Sequence, residues 1–306
     1  MPRRDAGEDR WRKHVVTEEE AGRTVREILT GPLALSGRMI QRLTRTRGVR
    51  LNRRPAYLER AVRKGDVVAA RVATAEEPGL EPVAMELDVV HEDAEVLVVN
   101  KPPFLLVHPV APHHTRTLAH GLAHHLLSEG VHAKVRPVHR LDRDTSGLVL
   151  VAKSAFAHQF LDRALREREM RREYLAFVGG VVEEDAGEID APIGRHPRAP
   201  QLRAVTERGE PARTRWRVVE RFRDATLLDV ELETGRTHQI RVHLAHLGHP
   251  VLGDSQYGGR MVPGLARQAL HAWRLSFPHP ASRERLTFEA PLPPDLAALR
   301  ERLIAE

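Results

Sequence analysis

The stretch VHRLDRDTSGLVLVAK, Val138 to Lys153, passes from a charged turn into an almost unbroken apolar run. The run Leu148 to Ala152 reads as a buried strand. The turn before it holds two aspartates. Asp144 precedes Thr-Ser-Gly, and Asp, Ser and Gly shape tight turns by bonding their own backbone or accepting positive φ, so a turn role is expected of it. Asp142 lies between Arg140 and Arg143 at the mouth of the strand, where a carboxylate is held rigidly and a neighbouring guanidinium keeps it ionised. Such a group suits a nucleophile or a base. Spacing by itself favours the plainer alternative, a turn-side ion pair without chemistry.

Outward from this strand, the short apolar runs EVLVVN, EYLAFV and TLLDVEL alternate with the helical stretches SAFAHQFLDRALRERE and RTHQIRVHLAHLG. Strands and helices in one core predict an α+β fold. The segment TAEEPGLEPV, residues 74–83, is rich in Pro, Gly and Glu and reads as a linker. It divides a basic N-terminal region, read as an extension over 1–15 and a small α/β domain over 16–73, from a larger domain over 84–306.

The charge of the chain is uneven. The formal net charge is +6, yet residues 1–75 hold 18 Lys+Arg against 9 Asp+Glu, so the basic excess is local. Ser36 is placed to cap a helix running to Thr46, with Gly48 as its stop. On that helix Arg38, Arg42 and Arg45 share one face and Met39, Ile40 and Leu43 take the other. Beyond it, VRLNRR alternates as a short strand that turns Val49 and Leu51 one way and Arg50 and Asn52 the other. Ten basic residues and the single acid Glu59 fall between Ser36 and Lys64. An RNA or other nucleic-acid surface is expected there, made by phosphate and shape contacts rather than base stacking.

No run reaches the roughly eighteen apolar residues of a membrane span, and the N-terminus lacks the apolar stretch of a secretory signal, so a cytoplasmic protein without membrane contact is expected. The absence of cysteine removes disulfides, thiol nucleophiles and cysteine-ligated metals. Eighteen histidines raise the question of zinc, particularly His243, His246 and His249, but no zinc-enzyme motif accompanies them, and solvated or core histidine is the better account. No metal and no small-molecule cofactor are expected, and the chain is expected to be a monomer.

HRLDRDTSGLVLVAK closely resembles the signature of the RluA-type pseudouridine synthases, which isomerise selected uridines in ribosomal and transfer RNA. The resemblance continues in order through EVLVVNKPPFLLVHP, MRREYLAFVGG, GEPARTRWRVVE and TGRTHQIRVHLAHLGHPVLGDSQYG, over residues 85 to 290. It implies a mixed, mainly antiparallel catalytic sheet with flanking helices, and it makes Asp142 the catalytic aspartate. Tyr174 is then the pocket tyrosine that stacks on a flipped-out base, and Arg241 the arginine that pairs with the aspartate, on a helix begun near Thr237. Arg140, in the loop of Asp142, is implied in phosphate contact or loop support. The N-terminal region resembles the ribosomal-protein-S-four-like RNA-binding domain, which implies ribosomal RNA, of the large subunit first and transfer RNA second, as the partner. Two positions depart from the pattern: Phe104 stands where glycine is expected in KPPF, and Glu210 where lysine is common in GEPA. A noncatalytic RNA-binding or assembly protein explains the basic region but not the group Asp142, Tyr174 and Arg241, and an RNA N-glycosidase would use the same carboxylate to release free base.

Overall fold

The computed structural model describes residues 10–306. A small N-terminal unit is built from β1 (Arg10–Val15), α1 (Val25–Thr30), α2 (Gly37–Arg45), β2 (Val49–Leu51), β3 (Arg54–Pro55) and β4 (Val67–Ala73), its antiparallel sheet running β1-β4-β2-β3. Thr24 and Glu27 close a capping box on α1, and the Ser36 hydroxyl accepts the Met39 N–H to start α2. Met39, Ile40 and Leu43 are buried with Ile28, Leu29, Val49 and Val68, which leaves Arg38, Arg42 and Arg45 exposed, as their spacing requires. The stop differs from the expected one. Arg47 rather than Gly48 takes the left-handed conformation (φ 52°), while a Cβ at Gly48 would lie 2.8 Å from Leu43 Cδ2, so a side chain there would require the buried Leu43 to shift.

Two further expectations for this unit change. Strand β1 pairs with β4 along its length, so residues 10–15 are a strand of the sheet and not part of an extension; residues 1–9 lie outside the described residues. Aromatic groups also accompany the basic surface. Tyr57 is 87% exposed among the arginines of the β3 turn, and the Arg50 guanidinium stacks over Trp11 at 4.2 Å.

The larger unit comprises β5 (Asp88–Glu92), β6 (Val96–Lys101), α3 (Leu118–Ser128), β7 (Arg136–Pro137), β8 (Ser146–Ala152), α4 (Ala155–Arg166), β9 (Arg171–Gly179), β10 (Ala186–Asp190), β11 (Ile193–His196), β12 (Ala199–Val205), β13 (Arg213–Arg221), β14 (Ala225–Leu232), α5 (Gln239–His246), β15 (Leu270–Pro278), β16 (Arg285–Glu289) and α6 (Pro294–Ala305). Its main sheet runs β10-β13-β14-β9-β15-β8-β6-β5, with β16 beside β15, β7 beside β8, and β11 and β12 as a separate ribbon. Every pairing in it is antiparallel except that of β15 with β8. The fold is α+β with a mainly antiparallel sheet.

The opening apolar run is β8, and all seven of its residues are buried. Val149 and Val151 pack with Leu118 and Leu122 of α3 on one face, and Leu148 and Leu150 with Phe160 and Leu161 of α4 on the other, which explains the missing polar alternation. Burial on both faces makes the strand a rigid base for the loop that precedes it, each Leu or Val contributing ~1.5–3 kcal/mol. Gly147 is required where β8 meets its parallel neighbour: its φ is 116°, and a Cβ would fall 2.2 Å from the Ala272 carbonyl oxygen.

The expected linker has no helix or strand but is tied down, with the Glu76 N–H bonded to His132 O and the Val83 N–H to His120 O. The two units are clamped together. Phe156 of α4 is fully buried in the core of the small unit beneath the Arg12 guanidinium, and Gln159 accepts from the Ser36 N–H and donates to Ala34 O.

Candidate active site

The loop between β7 and β8 turns on a hydrogen bond from the Thr145 N–H to Asp142 O, 3.2 Å long, and presents Asp142 to a cavity of about 570 Å³. That volume is within the roughly 300–1,000 Å³ of small-molecule sites. Tyr174 and Arg172 of β9, Arg241 of α5, and His139 and Arg140 of the loop line the same cavity. The three residues singled out from sequence for chemistry therefore meet.

Arg241 is the anchor. It is 5% exposed; its Nε and Nη2 donate to Asp254 Oδ2 and Oδ1 at 2.6 and 2.8 Å, Nη2 also to Gln256 Oε1 at 2.7 Å, and Nη1 to Asp142 Oδ2 at 3.2 Å. Its guanidinium lies over the Tyr257 ring at 4.9 Å. Burial pulls the guanidinium down, but Asp254 and Asp142 outweigh that and hold it above its ordinary range. Asp254 is buried and so bound to Arg241, whereas Asp142 keeps 21% of its side chain accessible. Of the two carboxylates on this arginine, Asp142 is the one a substrate can reach.

α5 begins at Gln239, two residues later than the expected start, because His238 takes a left-handed conformation (φ 58°). That turn brings His238 Nε2 to 4.0 Å from Asp142 Oδ2, while its Nδ1 lies 2.7 Å from the Tyr257 hydroxyl. Burial, opposed by Asp142, lowers the imidazole, so it is neutral near pH 7. Burial pushes the Tyr174 phenol up, with Arg172 opposing and Asp142 adding to the rise. A neutral phenol is suited to stacking and hydrogen bonding more than to taking a proton.

Asp144 behaves differently from the expectation. Its carboxylate is bound to Arg143 (Nε to Oδ1, 2.7 Å) instead of to its own backbone, and the turn is closed by the bond from the Thr145 N–H to Asp142 O. Beneath the loop Lys101, fully buried, donates through Nζ to Pro102 O, Leu105 O and Arg143 O at 2.8, 2.9 and 3.0 Å. Burial, against the attraction of Asp144, lowers this ammonium to about 7. It ties the KPPF turn to the Asp142 loop. Phe104 adopts the left-handed conformation that a glycine would favour (φ 63°), with its ring 54% exposed, so the turn is kept despite the departure. Arg140 is exposed at the cavity rim and lowers His108, second to burial, but it does not bind Asp142.

Sequence reasoning passed over Asp254, Gln256, Tyr257, His238, Lys101 and Arg172. The signals available were a lysine ending the apolar run of β6 and an aspartate amid LGDSQYG, both polar groups in apolar surroundings. The histidines have local duties: His243 contacts Thr214 Oγ1 and Ala191 O, and His249 contacts Gly179 O.

Residues 95–246 match the RNA pseudouridylate synthase family. An RNA pseudouridine synthase of Bacillus subtilis is 46% identical over 245 residues, covering 79% of this chain and 81% of its own. The chain belongs to the RNA pseudouridylate synthase family. It is an RNA-modifying isomerase of the RluA type. Ribosomal large subunit pseudouridine synthase D of Vibrio parahaemolyticus is 42% identical over 252 residues, covering 78% of this chain and 77% of its own. Among solved structures, human RNA pseudouridylate synthase domain containing 1 superposes with a TM-score of 0.57 at 28% identity, covering 74% of this chain and 98% of that one. No helix among the described residues is long and apolar enough to cross a membrane.

Proposed function

We propose that this synthase converts particular uridines of large-subunit ribosomal RNA to pseudouridine, with Asp142 as the catalytic carboxylate acting on a nucleotide turned out of its stack. The observation that carries the reading is the asymmetric pair of carboxylates on Arg241, one buried and saturated and the other open to the cavity. The reaction breaks the bond from ribose to base nitrogen and remakes it to carbon 5, with no donor or redox partner. Asp142 serves either by attacking the anomeric carbon or by taking a sugar proton, and both routes require its charge. Tyr174 stacks on the displaced base. Unstacking a base costs a few kcal/mol, which additional RNA contacts offset. The small unit supplies them as an S-four-like domain through Arg38, Arg42, Arg45 and Arg50, joined by Arg140 at the cavity rim. The similarity to large-subunit synthases supports ribosomal over transfer RNA.

Carbodiimide mapping of total RNA from cells with and without the gene tests this. The expected result is loss of specific labelled positions in large-subunit RNA, with unchanged RNA mass. Loss confined to transfer RNA, or abasic sites in place of labelled ones, would contradict it.

A further inference from the structure

Three arginines are buried among the described residues, Arg172, Arg241 and Arg267. Arg241 is saturated by Asp254, Asp142 and Gln256, and Arg267 by a two-pronged pair with Asp295. Arg172 has no carboxylate partner among the described residues. It is 7% exposed, its Nη2 reaches only Leu232 O at 3.4 Å and Thr234 O at 3.3 Å, and its Nε is buried without an acceptor. A buried cation is ordinarily paired, because burial without a partner costs several kcal/mol. Burial lowers the guanidinium, and no neighbouring carboxylate among the described residues offsets it.

The position of this group is as informative as its lack of a partner. Arg172 and Tyr174 are two residues apart on β9, share the face of the sheet that closes the cavity, and line it together. Gly235 leaves room for the guanidinium, since a Cβ there would lie 2.9 Å from Arg172 Nη1. A five-donor fork with two long bonds and unspent N–H groups is thus built into the wall of the substrate cavity.

We propose that Arg172 is a catalytic residue that receives a carbonyl oxygen of the flipped uracil and stabilises the negative charge the base acquires when its bond to ribose breaks. The proposal rests on the Asp142 reading above. When the C1′–N1 bond breaks, its electron pair leaves with the base and spreads onto the ring carbonyl oxygens. The base then turns and gives a pair from carbon 5 to C1′. The proton lost from carbon 5 is matched by one gained at N1, so atoms and electrons balance without a co-reactant. A guanidinium fixed beforehand in a dry wall acts on the charge that develops in this step and far less on the neutral base, so it raises the maximal rate more than the affinity.

The test compares wild type, Asp142→Asn, Arg172→Lys and Arg172→Met in single turnover on one transcript made with uridine or with 5-fluorouridine, following consumption of the target nucleoside. Fluorine at carbon 5 draws charge into the ring and relieves the need for an external cation. The expected loss for Arg172→Met on uridine is about 100-fold or more in the maximal rate, the scale of removing one oxyanion donor. RNA affinity should be nearly unchanged, Arg172→Lys intermediate, and the Met defect on 5-fluorouridine at least tenfold smaller. An equal defect on both transcripts would assign Arg172 to structure, and a defect confined to affinity would assign it to a phosphate; either overturns the proposal, as would wild-type rates. If Arg172→Met fails to fold, Arg172→Lys decides by the same comparison. Full activity of Asp142→Asn would instead overturn the reading on which the proposal rests.

Discussion

Replacing Asp254 with Asn is the sharpest probe of how the site is held. The carboxylate accepts two charged hydrogen bonds from Arg241 while 1% of its side chain is exposed. Removing one partner of a buried pair costs about 3–5 kcal/mol. Gln256 and Asp142 still hold Arg241, and Asn keeps one acceptor, so the lower end of that range, about 3 kcal/mol, is expected. The amide NH₂ of Asn would face a guanidinium N–H, donor against donor, and push Arg241 from its place beneath Asp142. A displacement on the order of 1 Å in a catalytic pair costs roughly 100-fold in rate. Urea unfolding gives the first quantity and single-turnover pseudouridine formation the second. A folded Asp254→Asn enzyme that loses stability but keeps the wild-type rate would refute the reasoning that Asp254 positions Arg241 for Asp142.

Exchanging Arg38, Arg42 and Arg45 for Ala should weaken RNA binding and flatten the slope of log affinity against log salt by up to roughly three contacts' worth, about 0.7 to 0.9 each, while turnover at saturating RNA stays near wild type. Since Arg42 is 3.9 Å from Glu76, the full three is an upper limit, and an unchanged slope would remove this helix from the docking surface. Burial lowers His271, held between Ser146 Oγ and Ala290 O, to about 4, against the roughly 6.5 of an unfolded chain. The fold favours the neutral ring, so this stabilisation is complete above pH 6.5 and is lost as pH falls toward 4. In His271→Gln, the difference in unfolding free energy between pH 7 and pH 4 should shrink by about 3 kcal/mol, and an unaltered difference would contradict it. Phe104→Gly relieves a left-handed side chain but loosens the unfolded chain, so a net stability change within about 1 kcal/mol and retained activity are expected. Loss of activity would show that the exposed ring has a role of its own.

What the sequence made legible followed local periodicity. β8 announced itself by an apolar run without alternation, and α2 by arginines and aliphatics on opposite faces, because both patterns are set by neighbours in the chain. β1 did not, since RWRKHV has almost no apolar period and is a strand only through its pairing with β4. The meeting of Asp142 with Arg241 spans 99 residues and was expected from motif resemblance, not from spacing. Asp254, Lys101 and Arg172 share a harder difficulty. Whether a charge is buried, and what it then binds, depends on distant segments: Lys101 holds a carbonyl 42 residues away, and Arg172 one 60 residues away. The docking of Phe156 into the small unit is of the same kind, because nothing within α4 distinguishes a residue that fills another unit's core from one that fills its own.

The central claim is that the accessible carboxylate on Arg241 performs the reaction, and Asp142→Asn tests it most directly. Asn keeps the size and an acceptor for Arg241 but removes the charge that both chemical routes require. Single-turnover pseudouridine formation on a large-subunit transcript, with RNA affinity measured alongside, should show undetectable product and near-wild-type binding for Asp142→Asn. Asp144→Asn, altered in its pairing with Arg143 on the outer side of the same loop, should remain active. Turnover by Asp142→Asn within tenfold of wild type, or inactivity of a folded Asp144→Asn, would contradict the account.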